Sequence, residues 1–245
     1  MSLELADNYV KSMFKSYPEH KIKGEDFYMS ILKEENFNPL KDFKYQIICG
    51  KIINMAPSAP NHGITSSGIS YLFLNHFNKK NCKKCRVYNE SSYIRLDIIK
   101  KQRNIKLPDE CEKDKYTPDV MVICDRTIDT IDGVTGAPDL VVEVLSKSTQ
   151  KYDITIKKQV YELIGVKEYW IVDYRNKSIE VYILKDGKYG IPDIYYRYTG
   201  NEIEAIKEED EYLGINTPII TEFSPTLFPD LIIKIDDVFD DLIEE

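Results

Sequence analysis

The sequence predicts an α/β (α+β) fold, and three observations carry that expectation. Two short segments, Thr117–Cys124 and Ala137–Ser146, have nearly continuous apolar cores, as strands covered on both faces do. From Asn61 to Asn78, apolar Ile64, Ile69, Leu72, Phe73 and Phe77 recur at helical spacing. A second helical pattern, Asp153 to Ile164, follows the strands and is stopped by Gly165. A length of 245 residues is compatible with one large domain or two small ones. The expected organisation is a single domain over 1–245, with a helical and hairpin segment at about 1–60 and an acidic segment at about 201–245.

In chain order, residues 3–17 and 24–35 suit two short helices, the second ending before Asn36 and Pro39. Tyr45 to Met55 contains two β-branched runs around Cys49-Gly50 and predicts a hairpin ended by Pro57 and Pro60. The helix from Asn61 or His62 to Asn78 carries His62 in its first turn. Val87 to Ile98 alternates loosely and predicts one strand. The connection 125–136 has no periodic apolar face, which favours an antiparallel pairing of the strands on either side of it. Residue 124 then lies near 139, and 119 and 120 near 144 and 143. Glu168–Asp173 and Ser178–Leu184 predict a last hairpin over Arg175-Asn176-Lys177.

Composition narrows the class. Apolar residues make up 42% and charged residues 30%, which places the chain among ordinary globular proteins. No apolar run approaches the roughly 18–20 residues that cross a bilayer, and the charged first 30 residues contain no secretory h-region. A cytoplasmic protein with reduced thiols at Cys49, Cys82, Cys85, Cys111 and Cys124 is the expectation. A zinc site built on Cys82-Lys-Lys-Cys85 lacks the second closely spaced pair that would make it a strong signal. Net charge is -8, but residues 201–245 hold fourteen acids against Lys207 and Lys234, so the first 200 residues are net +4. Residues 79–106 are the most basic part, with Lys83, Lys84, Arg86 and Arg95 among ten bases that face only Glu90 and Asp97. Such a stripe suits phosphate neutralisation; a solvated helix end and loop is the plainer alternative.

The chemical anomaly is Glu143, a carboxylate inside Leu140-Val-Val-Glu-Val-Leu145, where burial is costly without a partner or a metal. Asp119 opens the preceding strand and becomes its neighbour if the strands pair antiparallel. Asp139 lies four residues before Glu143, about 13 Å along a strand, and falls outside the site. On the following helix Asp153, Lys157 and Tyr161 form one polar line. Lys157 can thereby reach the two acids. Two carboxylates and a lysine suit a hard divalent cation and phosphodiester hydrolysis.

These residues carry a family resemblance. The segments are Tyr45-Gln-Ile-Ile-Cys-Gly-Lys-Ile, Met55-Ala-Pro-Ser with His62, Thr117-Pro-Asp-Val and Gly136-Ala-Pro-Asp-Leu-Val-Val-Glu-Val-Leu-Ser146. Tyr152-Asp153, Lys157, Tyr161, Gly165-Val-Lys-Glu-Tyr-Trp-Ile-Val-Asp173 and Phe223-Ser-Pro continue it. Over roughly 25–240 the sequence resembles the Uma-type restriction-endonuclease-like family of the PD-(D/E)xK nuclease superfamily. The resemblance implies a restriction-endonuclease-like fold, a mixed sheet flanked by helices, and a Mg2+ (or Mn2+) dependent endonuclease acting on nucleic acid, DNA foremost, with a homodimer as one arrangement. It implies Asp119 and Glu143 as metal ligands and Lys157 in place of the superfamily lysine, since Leu145 stands two residues after Glu143. Glu90 is an additional candidate ligand, and His62, Asp153 and Tyr161 are supporting candidates. Plainer roles stay open: a helix N-terminus for Asp153 and His62, core cover for Tyr161, a solvated strand position for Glu90, and a structural ion pair for Glu143 with Lys157. The alternative function is an inactive nuclease-fold module that binds nucleic acid or a protein.

Overall fold

The computed structural model describes residues 45–48, 51–54, 59–106, 114–147 and 149–244. The helices expected at 3–17 and 24–35, Cys49-Gly50, residues 55–58 and Cys111 lie outside the described residues. β1 (Tyr45–Ile48) and β2 (Lys51–Asn54) are the antiparallel hairpin that the sequence predicts, with Ile48 opposite Lys51. α1 (Pro60–Lys79) opens on a proline, whose missing N–H would be unpaired in a first turn anyway, and it buries Ile69, Phe73 and Phe77.

The next segment departs from the predicted strand. It divides into β3 (Arg86–Asn89), β4 (Ile94–Arg95) and helix α2 (Leu96–Arg103). Glu90 causes the break: its φ of 47° is incompatible with a continuing strand and turns the chain toward a second sheet.

β5 (Lys115–Tyr116) leads to β6 (Val120–Ile123). A 3-10 turn and the tight pair β7 (Asp129–Thr130) and β8 (Gly133–Val134) return the chain to β9 (Leu140–Val144). A helix over 150–164, α3, then places α-helical Gln150–Tyr152 and Lys158–Ile164 around a π-helical turn, Asp153–Lys157. Gly165, at φ 87°, ends it as predicted. β10 (Glu168–Asp173) and β11 (Ser178–Lys185) form the expected hairpin, followed by β12 (Lys188–Tyr189) and β13 (Asp193–Tyr196). The acidic segment contains helix α4 (Gly200–Leu213), β14 (Glu222–Phe223), β15 (Ile233–Lys234) and helix α5 (Ile235–Phe239).

The central mixed sheet runs β12-β11-β10-β9-β6-β3, with β13 added on β11; a second sheet runs β2-β1-β5-β4-β8-β7. β9 and β10 are parallel and wholly buried, because both faces of the sheet are covered. On one face Val120, Val142, Val144 and Trp170 pack with Ile69 and Phe73 of α1. On the other, Met121, Val141, Tyr169 and Ile171 pack with Val160, Tyr161 and Ile164 of α3.

Two expectations are corrected. β6 and β9 pair antiparallel as predicted, but Val120 lies opposite Val142, one residue from the expected register. Since directly opposite side chains share a face, the expected register would separate Asp119 from Glu143. The observed pairing ends at Val120–Val142, and the Asp119 carboxylate, just before β6, accepts the Val144 N–H next to Glu143. The second correction concerns the thiols. Arg86 pairs with Ile123, so Cys85 and Cys124 are the next cross-strand neighbours, and they form a disulfide that staples β3 to β6, while Cys82 is free. With Cys85 and Cys124 joined to each other, they are not available as the thiolate ligands of the zinc reading. Among the described residues no helix is long and apolar enough to cross a membrane.

Candidate active site

Glu143 sits near the C-terminal end of β9, opposite Ile171 of β10, and is 1% exposed. Its pleat position aims it at α3. Lys157 Nζ lies 3.0 Å from Glu143 Oε1 and 2.8 Å from Asp153 Oδ1, and the Tyr161 hydroxyl donates to Glu143 Oε1 at 2.6 Å. The π turn fixes this set: it begins at Asp153 and ends at Lys157, and the buried Tyr169 hydroxyl donates to the Asp153 backbone carbonyl at 2.9 Å. Asp153 and Tyr161 are therefore part of the buried polar set, beyond a helix-start residue and core cover.

Charge in this cluster is unbalanced. Burial pushes Glu143 up to about 8, Asp153 and Asp119 push the same way, and Lys157 and the Tyr161 hydroxyl oppose them. Burial likewise raises Asp153. Burial alone would lower Lys157, but Asp153, Glu143 and Asp119 together hold it above its ordinary value. Lys157 thus stays charged, while burial and the neighbouring acids hold Glu143 and Asp153 above the ordinary carboxylate range. Burial, then Glu143, raises the Tyr161 hydroxyl well above its usual range, so it remains a donor.

The second half of the site comes from α1, β3 and β6. Asp119 Oδ2 accepts the Val144 backbone N–H at 2.6 Å, which locks β6 to β9 beside Glu143, and it lies 3.3 Å from His62 Nε2. The other imidazole nitrogen, Nδ1, is buried without a hydrogen bond, 4.0 Å from Glu90 Oε1. Burial would lower His62, yet the hydrogen bond and charge of Asp119, followed by Glu90 and Glu143, raise it. One donor atom from each of His62, Glu90 and Asp119 falls within 4.8 Å of the others. Glu90 reaches this position through the positive-φ turn that ends β3. Sequence periodicity does not report that turn; an acid at a strand break is the only signal it leaves.

The residues fit a hard divalent cation. Oxygen donors from Asp119 and Glu90 and a nitrogen from His62 converge, and Glu143 lies within electrostatic reach of both Asp119 and His62. The surplus of buried carboxylates over cations is the charge that such an ion neutralises. The basic candidates lie elsewhere. Lys83 and Lys84 are exposed in the turn after α1, Arg86 is engaged by Asp129 at 2.6 Å, and Arg95 by Asp97 at 2.9 Å. Asp139 is structural, accepting the Cys124 N–H and pairing with Lys167.

Comparison with known proteins adds three findings. The sequence matches the Uma2 family, described as "Putative restriction endonuclease", over residues 34–209. The uncharacterized protein slr1290 of Synechocystis sp. is 30% identical over 145 residues, which make up 58% of this chain and 67% of that protein. A crystal structure from Anabaena variabilis, titled as "a putative nuclease belonging to DUF820", shares the fold with a TM-score of 0.55 at 15% identity, covering 80% of this chain and 89% of that one. The family match runs from ahead of β1 into α4 and takes in His62, Glu90, Asp119, Glu143, Asp153, Lys157 and Tyr161. The chain belongs to the Uma2 family of restriction-endonuclease-like proteins.

Proposed function

We propose that this chain is a metal-dependent endonuclease that hydrolyses phosphodiester bonds in DNA, with Asp119, Glu143 and Lys157 as its central residues. The observation that carries this reading is the buried Glu143–Lys157–Asp153 cluster, its carboxylates in excess, beside the converging His62, Glu90 and Asp119. A purely structural Glu143–Lys157 ion pair does not call for a second group of ligand-type side chains converging within 4.8 Å of one another.

Asp119 and Glu143 are the principal holders of a Mg2+ or Mn2+ ion, with Glu90 and His62 completing the set. Bound there, the ion supplies Lewis-acid polarisation of a phosphate oxygen and a lowered pKa for an attacking water. Lys157 keeps Glu143 oriented and contributes fixed positive charge where negative charge develops on phosphate. Tyr161 donates to the same oxygen of that carboxylate. His62, against Asp119, offers a proton acceptor or donor next to the acids.

The test incubates wild type, Glu143→Gln and Lys157→Ala with plasmid, single-stranded DNA and RNA in Mg2+, Mn2+ or chelator, with a thermal melt of each protein. Expected is cleavage of DNA that needs metal and is lost in both folded variants. Cleavage unchanged in Glu143→Gln contradicts the assignment. Metal-independent binding with no cleavage favours the inactive binding module.

A further inference from the structure

Outside the acid cluster the structure contains a cavity of about 430 Å3 whose lining includes Tyr174, Arg175, Lys177, Arg197 and Asn61. It lies in the size range of small-molecule sites, about 300–1,000 Å3. A smaller cleft of about 180 Å3 shares Asn61 and Tyr174 and extends the concavity to Ala59 and Pro60, at the start of α1. Two parts of the groove's lining are close along the chain to residues of the proposed active site. Tyr174 and Arg175 directly follow β10, at the same end of the parallel β9–β10 pair as Glu143, where ligands of parallel sheets bind. Asn61 immediately precedes His62, whose Nε2 lies 3.3 Å from Asp119.

The groove is preorganised. Arg175 is fixed by Asp173 at 3.2 Å and by Gln150 at 3.0 Å. Arg197 is held by Asp236 at 2.9 Å and by Asp240. The Asn61 side chain pins the far wall by a reciprocal pair of hydrogen bonds with the Ile243 backbone, each 2.8 Å. Lys177 forms no ion pair among the described residues. Of the acids lining the cavity, Asp240 is already paired with Arg197, and Glu244 stands on the C-terminal wall. A polyanion therefore finds its favourable side along Arg175 and Lys177, with the Tyr174 ring beside them.

We propose that this groove binds a single nucleic-acid strand flanking the scissile bond, its phosphates on Arg175 and Lys177 and one base against Tyr174. Cations alternating with an aromatic face suit a single strand, whose bases are free to stack. The proposal rests on the nuclease reading of the neighbouring site and assigns that site a substrate-holding arm, distinct from the basic stretch 79–106.

The test is fluorescence anisotropy of a labelled dT12 strand and of a labelled 12-base-pair duplex in chelator, so that binding is read without cleavage. Wild type is expected to bind the single strand more tightly. Lys177→Gln is expected to weaken it about three- to tenfold and to reduce the slope of log affinity against log salt by about one. Lys177→Arg should keep that slope. Tyr174→Leu is expected to cost about tenfold with the slope unchanged. Melting temperatures of the variants verify folding. Absence of wild-type binding, preference for duplex, or variants that bind as wild type does would each overturn the groove assignment. Cleavage that survives in Glu143→Gln removes the catalytic assignment and leaves the groove standing. Wild-type cleavage with unaltered binding by Lys177→Gln does the reverse.

Discussion

Replacing Lys157 by methionine deletes the one ammonium group that touches both Glu143 and Asp153 and keeps most of the side chain's volume. All three side chains are at most 2% exposed, and the two contacts are 3.0 and 2.8 Å. Removing one partner from a buried ion pair costs about 3–5 kcal/mol, because the remaining charge is left in the interior. For a chain of this size each kcal/mol lowers Tm by about 2–4 °C, so a fall of roughly 6–20 °C is expected. The pH dependence has a definite sign. Without Lys157 the folded variant must keep one more proton on the Glu143–Asp153 pair than wild type does, while the unfolded chains ionise alike. The deficit therefore grows as pH rises, by at most about 1.4 kcal/mol per unit. Urea unfolding followed by fluorescence of the sole tryptophan, the buried Trp170, at pH 5.5, 7.0 and 8.5 measures it. A variant within about 0.5 kcal/mol of wild type at all three values, or a deficit that shrinks as pH rises, would refute the charge balance assigned to this cluster.

Three further predictions follow from the same contacts. Glu143, raised from its ordinary 4.5 to about 8, binds its proton more tightly in the folded state, so wild-type stability falls between about pH 5 and 8; unfolding curves of Glu143→Gln should be flatter over that window. Tyr161→Phe leaves Glu143 Oε1 without a 2.6 Å donor and should cost about 1–3 kcal/mol by urea unfolding. Replacing Cys85 and Cys124 by alanine releases a bridge spanning 39 residues and should cost about 4 kcal/mol. Alkylation and mass spectrometry of the unreduced protein should find Cys82 labelled and those two unlabelled.

The core was legible where burial leaves a periodic trace. Uninterrupted apolar runs located β6 and β9, and an amphipathic stripe located α1, which the structure begins at Pro60. Glu143 stood out because a carboxylate within such a run needs compensation, and Lys157 because helical spacing aligns it with Asp153 and Tyr161. What periodicity cannot carry was missed. The β6–β9 register lies one residue from the one read across a connection of unknown shape, and Asp119 comes beside Glu143 through the Val144 N–H. The strand read from Val87 to Ile98 breaks at Glu90, where a single positive φ redirects the chain and brings that carboxylate toward His62. The disulfide depends on β3 and β6 being neighbours, a tertiary fact, and spacing alone pointed to free thiols. The π turn leaves no compositional mark, so Asp153 read as a helix start.

The central claim is that this acid cluster holds a divalent cation, and a calorimetric titration of metal-free protein with Mn2+ tests it most directly. Repeating the titration in buffers of different ionisation enthalpy counts the protons released. Expected is one binding event that releases a proton at pH 7, because the ion displaces the proton that burial holds on Glu143, with affinity rising with pH and falling at least tenfold in Asp119→Asn and in Glu143→Gln. No binding, or binding that releases no proton and is indifferent to both substitutions, would contradict it.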